Sequence, residues 1–299
     1  MINRSTVRNI EFNGPSFFWF GKRKISVEEA SSESIYLTSS DSTIDYNLST
    51  LNGHSAITGA RYLSLRQGKL TVRAAEHLLS ALFLSQITEA KIYCPDGQVP
   101  VCGPGIEEFY NALIRNKVKK EDELPEIRAN KKKEYLEKRK GIEASIIVEP
   151  CSTLRINILS AKHPDIPDLE EKPFELEDAY LFAKDHLRAR PVARLRNIAT
   201  YPLWLLATKV LGYQGITKDN YLIASPFMSS DEIVDQMSSQ YKTGRNEHLA
   251  HTAICDFPGE LLALGSGVTG SFTLSNTNHI SRVNAIRYFK MEGVFEQIK

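Results

Sequence analysis

The chain has 299 residues, 42% of them hydrophobic and 24% charged, with a formal net charge of +1. That composition excludes a disordered or fibrous protein, and the length allows two domains with cores of their own. A charge so close to zero argues against a nucleic-acid partner, because neutralising phosphates leaves a clear basic excess on a domain.

The stretch from Met1 to Arg8 lacks the continuous apolar core of a secretion signal, and no apolar run is long enough to cross a bilayer, so a cytoplasmic location is expected. From Thr6 to about Leu65, short strand-like runs such as 8–12 and 34–38 alternate with Gly, Ser, Asn and Asp turns. Ala74 to about Leu84 reads as a helix with Leu78, Leu79, Leu82 and Phe83 on one face, followed by a strand over 90–94. After turns at 95–97 and 103–105, a helix is predicted from Ile106 to about Arg115, with Phe109, Leu113 and Ile114 apolar.

The most charged segment lies between Asn116 and Gly141. It places a domain boundary near 117–124, hence domains of 1–120 and 121–299, and then an edge hairpin whose lysines discourage strand pairing. Strands follow over 144–148 and 154–158, then a helix from Leu176 to Leu187 and a strongly apolar one from Leu203 to Leu211, expected mainly in the core. Tyr221 to Ala224 reads as a strand, Asn246 to Asp256 as a helix, 270–274 as a strand and His279 to about Phe289 as the last helix. Both halves run strands first and helices after, which predicts an α+β fold rather than a doubly wound parallel sheet. Cys94, Cys102, Cys151 and Cys255 are too scattered for a disulfide framework, and three of them are expected to be small buried apolar residues, with Cys255 the exception.

Glu76 and His77 set an acid beside an imidazole at the start of an apolar run, and the distant His251 and His279 could join them at a metal. A neutral imidazole is a common metal ligand and a neighbouring carboxylate can take a proton from water at the metal, so the pattern points to hydrolysis. No phosphate loop, dinucleotide fingerprint or nucleophile elbow is present in the right context.

Three blocks in order resemble the LpxC family of zinc-dependent UDP-3-O-acyl-N-acetylglucosamine deacetylases of lipid A synthesis. Residues 75–82, followed by 98–101, are similar to the family's TVEHLLSAL and VPIMDGS. Residues 246–251 and 256–261 are similar to NEFVRHKMLDAIGDL, and 270–279 to GAFTAYKSGH. Weaker matches at 161–166, which include His163, and at 188–190 fill the middle. The resemblance implies two similar sheet-plus-helices domains facing each other across a cleft, with zinc held by His77, His251 and Asp256. Glu76 would be the general base and His279 the proton donor to the leaving amine. The implied partner is a UDP-sugar carrying an acyl chain, with an insertion near 191–225 lining a passage for that chain. Peripheral membrane contact is left open.

The chain also departs from the family. His251 and Asp256 are five residues apart where the family has four, which on a regular helix turns the carboxylate roughly 140° away from the histidine. A π-bulge, a distortion before Pro258, or ligation by Cys255 instead would each resolve this, and the register of 259–261 favours Asp256. Pro191 stands where the family has an oxyanion-holding threonine, Asn276 where it has a lysine and Gly103 where it has an aspartate. Two functions follow as alternatives: an active zinc amidase, or a catalytically impaired member that binds a nucleotide sugar or a protein partner.

Overall fold

A computed structural model of the chain describes residues 1–18, 20–30, 34–39, 42–55, 61–139, 141–160, 173–190, 192–194, 200–224 and 247–298. The matched stretch around His163, as well as Pro191 and Asn246, lies outside the described residues.

In the first half, β1 (Ile2–Val7) pairs antiparallel with β10 (Lys117–Leu124), the segment in which the charge pattern places a boundary. The strands β2 (Ile10–Pro15), β3 (Lys22–Glu28), β4 (Ile35–Thr38), β5 (Thr43–Asp45) and β9 (Ala90–Tyr93) form a five-stranded sheet in the order β2-β3-β9-β4-β5. Alternate residues Ile25, Val27, Ile35, Leu37, Ala90 and Ile92 are buried, the period-two pattern of a sheet with one covered face. β6 (Leu51–Ser55), β7 (Arg61–Gln67) and β8 (Leu70–Arg73) make a second, three-stranded antiparallel sheet. Its last strand leads directly into α1 (Glu76–Leu84), which is buried on nearly every side. The helix α2 (Glu107–Asn116) is amphipathic, with Phe109 and Leu113 buried, whereas Ile114 is exposed.

Among the described residues, the second half builds a seven-stranded sheet. Its strands are β11 (Glu126–Ala129), β12 (Lys133–Arg139), β13 (Ile142–Glu149), β14 (Leu154–Ser160), β15 (Phe174–Leu176), β18 (Val268–Ser275) and β19 (Phe295–Ile298). β18 is central, antiparallel to β13 and parallel to β14 and β11. The charged run forms the β12–β13 hairpin, with lysine-bearing β12 at the sheet edge as expected.

The helix predicted over 176–187 is present in shortened form, over 179–185. Phe174 and Leu176 bury alternately as β15 against β14, and Asp178 then caps only a four-residue helix, α3 (Ala179–Phe182), by accepting from the Tyr180 and Leu181 N–H groups. A 3-10 turn over Ala183–Asp185 ends it. The apolar run that follows is helical, α4 (Thr200–Lys209), but it is not core as expected. Trp204 is buried, while Leu203, Leu206, Val210 and Leu211 are exposed. Beyond it, β17 (Leu222–Ala224) pairs parallel with β16 (Val192–Arg194).

Residues 247–261 form one helix, α5, of three parts: α-helical over Glu247–His251, π-helical over Thr252–Asp256 and α-helical over Phe257–Leu261. The last helix, α6 (His279–Met291), starts on a capping box in which Asn278 accepts from Ile280 and Ser281 while the Ser281 hydroxyl accepts from the Asn278 N–H. One contiguous apolar cluster runs through both halves, from Val7 to Val294. A second, smaller one gathers Phe17, Trp204, Ile216, Tyr221 and Ile223. Among the described residues, no helix is long and apolar enough to cross a membrane.

Candidate metal centre

The site forms where the N-terminus of α1 meets the middle of α5. Their backbones approach so closely that a Cβ on Gly259 would lie 2.9 Å from the Glu76 carbonyl oxygen and 3.0 Å from the Ser80 nitrogen. Arg190 anchors the start of α5: its backbone N–H and Nε donate to Glu247 Oε1 at 3.0 and 2.8 Å, and Nη2 donates to Oε2 at 3.1 Å, with both side chains buried. One turn later the chain reaches His251.

The spacing of His251 and Asp256 is absorbed by the π turn. The Phe257 N–H donates to the Thr252 carbonyl, an i→i+5 bond that wraps one more residue into the turn and brings residues five apart back to the same face. His251 Nδ1 lies 3.6 Å from Asp256 Oδ1, and His77 Nε2 lies 3.0 Å from His251 Nε2. One donor atom from each of His77, His251 and Asp256 falls within 4.8 Å of the others. Cys255 points elsewhere: its thiol is fully buried, lies 3.7 Å from the Ala189 carbonyl and is held well above its ordinary pKa by burial. The expectation that Cys255 is the exceptional cysteine is therefore corrected, since Cys94, Cys102 and Cys255 are buried and Cys151 is the half-exposed one.

These residues suit a divalent metal. Two nitrogens each about 2.0–2.1 Å from a tetrahedral ion lie roughly 3.3 Å apart, close to the observed separation of the two imidazoles. Burial, with His251 alongside, pushes His77 down to about 3, and burial holds His251 well below its ordinary value, so both rings are in the neutral, ligating form. Three protein donors leave a fourth position for water or substrate.

Glu76 sits at the first position of α1, where its Oε2 accepts from the Leu63 N–H at 2.9 Å. Burial, reinforced by the charge of Asp256, pushes its carboxyl up to about 8. His279 lies on the other side, with Nε2 3.9 Å from Asp256 Oδ2 and Nδ1 2.7 Å from Glu260 Oε1. β6 packs against the start of its helix so tightly that a Cβ on Gly53 would lie 2.6 Å from the Ile280 nitrogen. All five residues singled out in the sequence thus occupy one region.

Three neighbours were not singled out there. Glu260 is fully buried, and burial pushes it up to about 7 although Arg282 works the other way. Arg282 reaches Asp256, Glu260 and His279. Tyr221 is buried close enough to Glu76 and Asp256 for their charges to join burial in raising its phenol pKa. Glu260 lay inside a matched block and served only to fix register, while an arginine three residues into a helix carries no sequence signal of burial. Of the departures, Asn276 has its side-chain amide bonded to the Glu143 carbonyl and its oxygen to the Ser160 hydroxyl. Gly103 has φ +64°, a conformation that favours glycine over aspartate.

A sequence model of the LpxC family, described as UDP-3-O-acyl N-acetylglycosamine deacetylase, matches residues 4–290. No match was found among curated proteins.

Proposed function

The chain belongs to the LpxC family, UDP-3-O-acyl N-acetylglycosamine deacetylases, and from that premise we propose that it is a zinc-dependent amidase that removes the N-acetyl group of a UDP-3-O-acyl-N-acetylglucosamine in lipid A biosynthesis. The observation that carries this reading is the convergence of His77, His251 and Asp256 beside Glu76 and His279. In it, residues 1–120 and 121–299 are the two domains. The first supplies Glu76 and His77, and the second His251, Asp256 and His279. The enzyme acts in the cytoplasm.

His77, His251 and Asp256 would hold the ion, which when bound supplies Lewis-acid stabilisation of the developing oxyanion and acidifies a water molecule. Glu76, in its ionised form, takes a proton from the attacking water. Glu260 accepts the Nδ1 proton of His279, which fixes the ring and leaves Nε2 on the side of Asp256. In the imidazolium form of His279 Nε2 carries a second proton, which passes to the glucosamine nitrogen as its bond to the acetyl carbon breaks, and acetate departs with the oxygen of the water. The exposed apolar side chains Leu203, Leu206, Val210 and Leu211, in and just after α4, are the surface on which the substrate's acyl chain rests, braced from beneath by the buried cluster of Phe17, Trp204, Ile216, Tyr221 and Ile223.

Protein purified under reducing conditions is expected to carry about one zinc per chain and to release acetate. His77→Ala and Asp256→Ala should abolish both, and Cys255→Ala should leave both intact. Zinc-free protein, or acetate release that survives His77→Ala, refutes the reading. A chain that binds a nucleotide sugar without turnover is the competing view, favoured by Asn276, whose bonds to Glu143 and Ser160 supply no positive charge. Acetate release by the unmodified protein excludes it.

A further inference from the structure

Arg282 lies one turn along α6 from His279, and its side chain is 2% exposed. Nε donates to Glu260 Oε2 at 2.7 Å, and Nη2 donates to Asp256 Oδ2 at 3.2 Å. Nη2 also lies 2.9 Å from His279 Nδ1, the atom that sits 2.7 Å from Glu260 Oε1. Since a guanidinium has donors only and Nδ1 has a single bonding direction, the Nδ1 proton goes to Glu260, and the Arg282–His279 approach is a packing contact. Glu260 then receives one bond on each oxygen, from Arg282 and from His279.

We propose that Arg282 is a positioning residue of the zinc site: its planar fork spans Asp256 and Glu260, four residues apart on α5, and fixes the orientation of both carboxylates. With Oδ2 of Asp256 tied to Arg282, Oδ1 is the oxygen turned to His251. With Oε2 of Glu260 tied likewise, Oε1 is left to hold His279. The clamp matters here because Asp256 leaves from a π turn, one residue later than a regular helix would place it. The cation also offsets the cost of three carboxyl groups, those of Glu76, Asp256 and Glu260, in one buried volume. A lysine cannot do the same, being a point charge without a fork.

This inference rests on the zinc-site reading, and the experiment separates the two. Zinc dissociation constants, measured by chelator competition, together with kcat and KM, are compared for the unmodified protein, Arg282→Lys and Arg282→Met, with circular dichroism to establish folding. Loss of a group that orients a metal ligand costs about 10-fold to 100-fold in affinity. Arg282→Met is expected to weaken zinc binding by that factor and Arg282→Lys by about 10-fold, with kcat falling and KM nearly unchanged. If Arg282→Met does not fold, Arg282→Lys decides. Zinc binding by folded Arg282→Lys as tight as that of the unmodified protein, or tighter, overturns the positioning role alone. Failure of both variants to fold also overturns it, by making the residue structural. Absence of zinc from the unmodified protein overturns the zinc-site reading first and this one with it.

Discussion

At the scale of single residues, the site places groups that prefer to be neutral beside groups that must stay charged. Burial raises Glu76 to about 8 and lowers His77 to about 3, so metal-free protein should show a stability profile with two limbs. A carboxyl whose folded pKa lies above its unfolded value of 4.5 favours folding most at low pH, and that contribution is lost as pH rises through about 8. A histidine whose folded pKa is depressed acts in the opposite sense. Its contribution is present above the unfolded value of 6.5 and is lost as pH falls toward about 3. Between pH 6.5 and 8, the imidazoles no longer differ between the two states. The stability of metal-free protein should therefore fall there, by up to about 1.4 kcal/mol per pH unit from Glu76, with Glu260 adding to the slope near 7. Urea titrations of chelator-treated protein at several pH values test this. Glu76→Gln should flatten the limb, and an unchanged slope in that variant would mean that Glu76 is ionised throughout.

At the scale of elements, the geometry depends on a splice between α1 and α5. In a regular helix the Gly259 N–H would donate to the Cys255 carbonyl. Here it donates to Ser80 Oγ at 2.8 Å, and Ser80 Oγ donates to the Cys255 carbonyl at 2.8 Å, so a hydroxyl from α1 is inserted into the ladder of α5 just after the π turn. Ser80→Ala leaves both backbone groups without that partner in a buried place and should destabilise the metal-free protein by about 1–3 kcal/mol. The denaturant midpoint at unchanged m-value reports it, and a loss under roughly 0.5 kcal/mol would mean that the N–H and carbonyl had closed on each other directly. Much of this region is legible in the sequence. The apolar period marks α1, Asn278 before His279 marks the start of α6, and the spacing of His251 and Asp256 demands a local irregularity that a π turn satisfies. Ser80 and Arg282 were not legible, because a hydroxyl or a guanidinium inside a helical pattern reads as solvated until a second helix is seen against it. The helix expected over 176–187 begins later than predicted for a related reason: Phe174 and Leu176 belong to a strand period that ends where Asp178 begins its cap.

At the scale of the molecule, the two halves are joined by shared core and by polar links across the site. Tyr46 donates to the Gly259 carbonyl, and Arg287 of α6 donates to the carbonyls of Leu48 and Leu51. Beside this joint lies the smaller aromatic cluster, in which Phe17 sits 4.6 Å from Phe18 and 6.1 Å from Tyr221 between ring centroids, while the indole N–H of Trp204 donates to the Ile216 carbonyl at 2.8 Å. The exposed leucines of α4 show why the sequence misplaced this segment: a run rich in leucine reads as core, yet only Trp204 turns fully inward. Tyr221 brings the cluster close to Glu76 and Asp256, so under the proposed function an acyl chain lying on the exposed side chains of α4 would extend from a sugar held at the metal. Each methylene withdrawn from water there contributes about 0.8 kcal/mol, or about 4-fold in kcat/KM. Substrates shortened stepwise in the acyl chain should therefore lose kcat/KM at about that rate per carbon while contact with the exposed face of α4 lasts. The exposed-site double substitution Leu203→Ser with Leu206→Ser should reduce the dependence on chain length and leave turnover of the shortest substrate close to that of the unmodified protein. A kcat/KM that does not respond to acyl length in the unmodified protein would remove the exposed face of α4 from substrate recognition.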